Sequence, residues 1–142
     1  MKPVRINENL SVSAQISAPE VAESAALGFT GVINNRPDNE EPGQPASDTM
    51  KSAATEAGLA YAHIPVRGPA ITEATVRTFQ AALAESEGPV LAYCRSGTRS
   101  LTLWTLGEVL DGRMAKDDVV PFGIKHGFDL TGALAWLNAH GH

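Results

Sequence analysis

Pro89-Val90-Leu91-Ala92-Tyr93-Cys94-Arg95-Ser96-Gly97-Thr98-Arg99-Ser100 is the stretch that decides how this chain folds. The short apolar run before the cysteine reads as a buried strand. Leu101-Thr102-Leu103-Trp104-Thr105-Leu106 after it reads as a helix. A strand, a tight loop with a glycine and a helix start make an anion cradle. Backbone N–H groups converge there, and the helix dipole favours negative charge. The chain's single cysteine stands at the base of this loop.

The residue types around Cys94 suit a thiolate nucleophile. A free cysteine titrates near 8.5, and a helix N-terminus with adjacent cations lowers that value. Arg95 and Arg99 supply the cations. Gly97 allows the tight curvature that aims several N–H groups at one point. Arginine grips an oxyanion through paired hydrogen bonds, which lysine does less well. A cysteine placed there only as a small core residue needs no flanking charges.

Working outward, the chain alternates strand-like and helix-like segments. Leu10 to Ile16 alternates apolar and polar residues, as a half-buried strand does. Ser17-Ala18-Pro19-Glu20 fits a capping box, opening a helix that runs to about Leu27 and stops at Gly28. Phe29 to Asn34 reads as a strand, and Asn35 to Pro45 as a loop. Asp48 is expected to cap a second helix ending at Gly58. Leu59 to Val66 reads as a third strand. Thr72 opens a helix with Val76, Phe79, Ala82 and Leu83 on one face. Lys116 to His126 and Leu130 to Ala139 read as helical. Repeated β-α units predict an α/β three-layer sandwich with a mainly parallel central sheet. Ligands in such sheets bind beyond the carboxyl ends of the strands, where the cysteine loop lies.

Composition bounds the rest. The 142 residues predict one domain spanning 1–142, large enough to bury a core. A net charge of −5 argues against nucleic-acid binding through a basic surface. One cysteine forms no intrachain disulfide. Met1 to Asn7 lacks the apolar stretch of a signal peptide, and no run is long enough to cross a bilayer. These features imply a cytoplasmic protein without a membrane partner. The four histidines show no tight ligand spacing, so neither metal nor cofactor is expected. Oligomeric state is not readable from the sequence.

Cys94-Arg95-Ser96-Gly97-Thr98-Arg99 resembles the Cys-x4-Arg loop of rhodanese-type sulfurtransferases. Cysteine-dependent phosphatases have a loop one residue longer, and their arginine would fall on Ser100. The remainder of the chain is similar to a different group. Asn34-Asn35-Arg36-Pro37-Asp38-Asn39-Glu40-Glu41-Pro42-Gly43-Gln44-Pro45, Ala62-His63-Ile64-Pro65-Val66 and the cysteine loop resemble the phosphatase-like domain of the β-lactamase hydrolase-like family. That resemblance runs from about Leu10 to about Leu110. It implies a cysteine-phosphatase-like fold, with members described as sulfur transferases or as phosphatases.

Two features separate those activities. A shorter loop closes a smaller ring of N–H groups, sized for a persulfide on Cys94 more than for a phosphoryl group. Cysteine phosphatases also use an Asp to protonate the leaving alkoxide, a step worth about 10²–10⁴ in rate. The resemblance places that acid after the strand ending at Val66, where Arg67-Gly68-Pro69-Ala70-Ile71-Thr72 has no carboxylate. Asp38 or Glu40 could take its place from the other loop. The expectation is therefore a sulfurtransferase with Cys94 as persulfide carrier and Arg99 ordering the anion. Arg95, Ser96, Gly97, Thr98 and Ser100 complete the anion-binding loop, with Arg36, Asp38 and Arg67 at the pocket rim. A sulfane-sulfur donor and a thiol acceptor are the expected partners. The alternative is a phosphatase acting on a phosphorylated substrate through a phosphocysteine. A further alternative is a persulfide-sensing module without turnover. Arg36 and Asp38 are otherwise expected to pair with each other, Glu40-Glu41 to be solvated loop, and His63 to be a satisfied sheet-face residue.

Overall fold

The computed structural model describes residues 1–142. Its elements are β1 (Val4–Arg5), β2 (Leu10–Ser13), α1 (Ala18–Ala26), β3 (Gly31–Asn34), α2 (Ser47–Glu56), β4 (Ala60–His63), α3 (Glu73–Glu85), β5 (Val90–Tyr93), α4 (Thr98–Leu110), α5 (Val119–Lys125) and α6 (Thr131–Ala139). Short 3-10 turns occupy Gly68–Ala70 and Lys116–Asp118. The strands form one sheet in the order β1-β2-β5-β3-β4. All pairings are parallel except that of β1 with β2. The fold is the expected α/β sandwich with a mainly parallel sheet.

Side-chain alternation explains the layers. Along β5, Val90 and Ala92 join one buried cluster, while Leu91 and Tyr93 join another. The first cluster takes in Val76 and Phe79 of α3, Leu101, Leu103 and Leu106 of α4, and Leu137 of α6. The second takes in Val21 of α1 and Met50 and Ala54 of α2. Both sheet faces are thus covered by helices, which is why β5 reads as an unbroken apolar run. Every residue of β2, β3 and β5 is buried, so the sheet's centre holds its C-terminal loops on a rigid base.

The capping box of α1 is present. Glu20 N–H donates to Ser17 Oγ at 3.3 Å, and Ser17 N–H donates to Glu20 Oε1 at 2.9 Å. Thr72 caps α3, accepting from Thr75 N–H at 3.2 Å. The cap of α2 differs from expectation. Asp48 lies inside the first turn, and Asp38 reaches across from the preceding loop to accept the Ser47 N–H at 2.8 Å. The strand expected over Leu10 to Ile16 stops at Ser13 because the chain bends there, and Gln15 N–H donates to Arg95 O at 3.3 Å. The strand expected over Leu59 to Val66 contracts to Ala60–His63, since Pro65 has no N–H to continue a ladder. The helical stretch from Lys116 divides into a 3-10 turn and α5. β1 was not anticipated, because two residues carry no periodicity.

Candidate active site

Cys94 is the first residue after β5, at the centre of the sheet. Its N–H donates to Ser13 O at 3.3 Å, and Asn35 N–H donates to Tyr93 O at 2.8 Å. The segments leaving β2 and β3 therefore flank the cysteine loop on both sides, as expected at the carboxyl ends of parallel strands. Cys94 is fully buried. Gly97 N–H donates to its Sγ at 3.0 Å.

Gly97 has a φ of +94°, a conformation that side-chain-bearing residues rarely hold. A Cβ there would lie 3.0 Å from Phe128 Cε1 and 3.3 Å from the Ser13 carbonyl carbon. The glycine is thus required by both torsion and space. It forms the N-cap of α4 without a side-chain capping bond. The amides of the first turn are left to interact with the sulfur or an anion bound on it.

Arg99, in the first turn of α4, is fixed by three hydrogen bonds. Its Nη1 donates to Glu40 Oε2 and to Val66 O, each at 2.9 Å, and its Nη2 donates to Glu40 Oε1 at 2.8 Å. A guanidinium carries five N–H donors. Three are committed, which leaves Nε–H and one Nη2–H. These two lie parallel on one edge of the group, the fork that binds an oxyanion.

Behind Arg99 lies a second arginine. Arg36 is only 1% exposed. Its Nε donates to Glu40 Oε1 at 2.8 Å and its Nη1 to Gln15 Oε1 at 3.0 Å. Its Nη2 sits 2.8 Å from Glu41 Oε1, an ion pair without hydrogen-bond alignment. A buried charge persists only when paired in this way. Glu40 is the shared anion of both arginines. Hydrogen bonds from Arg99 first, and then from Arg36, hold its carboxyl at about 2 against the opposing effect of burial. Asn39, with φ of +63°, turns the loop into this position; asparagine tolerates that region.

These contacts revise several expectations. Arg36 pairs with Glu40 and Glu41, not with Asp38, and lies beneath the site and not on its rim. Asp38 is committed to the start of α2. Glu40 is a half-buried network member and not solvated loop. Arg95 is an exposed side chain 3.8 Å from Glu41. Ser96 Oγ donates to Thr98 Oγ1 at 3.2 Å, both at the surface side of the loop. Ser100 is fully buried, and its hydroxyl donates to Asn35 Oδ1 at 2.7 Å. It ties α4 to the loop after β3. Arg67 is exposed and shares a shallow groove with Pro37, Pro65 and Thr75. His63 Nε2 bonds to Arg36 O at 2.8 Å, as a satisfied sheet-face residue.

Glu40, weighed in the sequence only as a substitute acid, instead holds Arg99 together with the Val66 carbonyl, while Gln15 and Asn35, which the sequence reading left without a role, bind Arg36 and Ser100 beside it. The four-residue spacing of Arg36 and Glu40 signals a pair only on a helix, and here it lies in a loop. Residues 67–72 contain no Asp or Glu and form a 3-10 turn and the cap of α3. No group of three or more His, Cys, Asp or Glu side chains is placed to hold a metal ion. No helix is long and apolar enough to cross a membrane.

Residues 4–111 match the family model described as β-lactamase hydrolase-like protein, phosphatase-like domain. β-Lactamase hydrolase-like proteins of Agrobacterium fabrum and Xylella fastidiosa are 54% and 51% identical over 137 residues, 96% of this chain. The chain spans about a third of the length of these curated relatives, 32% in each case. Among solved structures, a candidate phosphatase from Neisseria meningitidis Z2491 superposes with a TM-score of 0.84 at 33% identity, covering 96% of both chains. TpbA of P. aeruginosa, solved in complex with pTyr, has a TM-score of 0.67 at 22% identity, covering 94% of this chain and 80% of its own. That likeness is one of fold.

Proposed function

Within the phosphatase-like domain family of β-lactamase hydrolase-like proteins, to which this chain belongs, we propose that it acts as a sulfurtransferase with Cys94 as the persulfide carrier. The observation that carries this reading is the state of the two candidate acids. Asp38 is bound to the Ser47 N–H, and Glu40 is held at about 2 by Arg99 and Arg36. A carboxyl that low has no proton to give near neutral pH. Hydrolysis of an alkyl phosphate needs such a proton on its leaving alkoxide. Sulfur transfer from thiosulfate does not, because sulfite leaves as a stable anion.

Two half-reactions follow. The Cys94 thiolate attacks the outer sulfur of the donor. The donor's S–S bond breaks, sulfite departs with the electron pair, and Cys94 keeps one sulfane sulfur. An acceptor thiolate then attacks that sulfur, and the Cys94 thiolate leaves. The Nε/Nη2 edge of Arg99 and the first amides of α4 hold the negative charge at each stage.

A cysteine phosphatase is the second reading. The family's description and the likeness to the N. meningitidis structure favour it. An aryl phosphate, whose phenoxide leaves readily, would make the least demand for an acid. The test begins with mass spectrometry of protein treated with thiosulfate. The expected result is a gain of one sulfur on Cys94, discharged by cyanide as thiocyanate and abolished in Cys94→Ser. Efficient turnover of aryl phosphates with no sulfur ever loaded would replace this reading with the second.

A further inference from the structure

We infer that the cleft between the first turn of α4 and the outer face of α6 binds the sulfur acceptor, and that this acceptor is a small thiol bearing an ammonium group. The inference rests on the sulfurtransferase reading. The cleft has a volume of about 490 Å³, the scale of small-molecule sites. Thr98 and Arg99 form part of one wall, and Asp129 and His140, at either end of α6, form part of the other.

The cleft is continuous with the cysteine loop. Thr98 and Arg99 follow Gly97 directly. Phe128, adjacent to Asp129, is the residue packed against Gly97. A ligand in the cleft therefore borders the loop that holds Cys94. Along α6, Gly132, Ala135 and Ala139 face the space with little side-chain bulk. A short aliphatic chain fits against them.

The polar groups set the ligand's charge. Arg99 is already committed, with one edge on Glu40 and the other assigned to the anion at Cys94. Asp129 is the one carboxylate lining the cleft. Asp129 is exposed, and one of its oxygens accepts the Thr131 N–H at 2.9 Å, which favours the ionised carboxylate. His140 Nδ1 lies 2.8 Å from Trp136 O. The His140 ring stacks on Trp136, with centroids 3.8 Å apart, at the far end of α6. The indole N–H of Trp136 is spent on Ile71 O at 2.8 Å. With Arg99 engaged, the Asp129 carboxylate at the loop end of the cleft selects an ammonium over a second anion. With the ammonium near Asp129, the thiol end points along the cleft toward the loop. Its thiolate takes the outer sulfur of the Cys94 persulfide, the S–S bond breaks toward Cys94, and no net oxidation occurs.

The test separates loading from discharge. Wild-type protein, Asp129→Asn and Asp129→Lys are first loaded with thiosulfate, and sulfur on Cys94 is measured by mass. Discharge rates are then compared for cysteamine and 3-mercaptopropionate, short thiols of opposite charge. Asparagine still accepts the Thr131 N–H, so α6 keeps its start. The expected result is a cysteamine-to-mercaptopropionate selectivity that falls about threefold to fivefold in Asp129→Asn, the size of a partly exposed ion pair. Selectivity should fall further in Asp129→Lys. If all three proteins load sulfur and show the same selectivity, the inference is overturned while the sulfurtransferase reading stands. If none loads sulfur, that reading itself fails.

Discussion

The loop after β5 and the loop after β3 both end beside Arg99, but they are built differently. The first is six residues of local design, with a cysteine at the strand end, a glycine at positive φ and an arginine in the first helical turn. The second, from Asn35 to Pro45, adds ties outside the loop to its internal Arg36–Glu40 and Arg36–Glu41 pairs. Its members are bound to distant residues. Asn35 bonds to Ser100 and Ile64, Arg36 to Gln15, Asp38 to Ser47, and Glu40 to Arg99. On the proposed function, one loop carries the chemistry and the other orients it, with Glu40 aiming Arg99.

The comparison is broken most severely at Arg99. Arg99→Lys removes the parallel donors while keeping the charge, and sulfur transfer should fall about 100-fold, the loss typical of one oxyanion donor. A lysine variant with near wild-type rates would show that charge alone suffices. Gly97→Ala tests the local design. Positive φ and contact with Phe128 and Ser13 should cost about 2–4 kcal/mol in a denaturant titration. A smaller loss would mean that Phe128 moves aside freely.

Glu40→Gln tests the orienting loop. The folded-state carboxyl of Glu40 lies at about 2, below its ordinary 4.5. A depressed carboxyl stabilises the fold above the ordinary value, and that contribution disappears as pH falls from 4.5 toward 2. The wild type should exceed Glu40→Gln by roughly 2 kcal/mol near neutral pH, after allowance for partial exposure. The gap should narrow steadily between pH 4.5 and 2. A gap independent of pH would place the effect in packing instead. The smallest change is expected at Asp38. Asp38→Asn still accepts the Ser47 N–H, so stability should shift by less than about 1 kcal/mol. Turnover of any phosphate ester should stay flat as well. A drop of about 100-fold or more would identify Asp38 as the missing acid and favour the phosphatase reading.

Much of the fold could be read in advance because its signals are local. The apolar run before Cys94, the Ser17–Glu20 box and the Thr72 cap each involve residues a few positions apart. The cap of α2 could not be read this way, because Asp38 lies nine residues from Ser47 across an irregular loop. The same holds for Glu40, which meets Arg99 across 59 positions.

The sequence by itself determined the strand, the cysteine, the glycine hinge and the count of residues from Cys94 to Arg99. These follow from chain geometry and torsional preference, which act over short distances. Only the tertiary structure decided which carboxylate faces Arg99, which arginine is buried behind it and where the acid candidates are bound. Those outcomes depend on where parallel strands bring their loops together. Ion pairing and burial reward contacts in space whatever the distance between their partners along the chain.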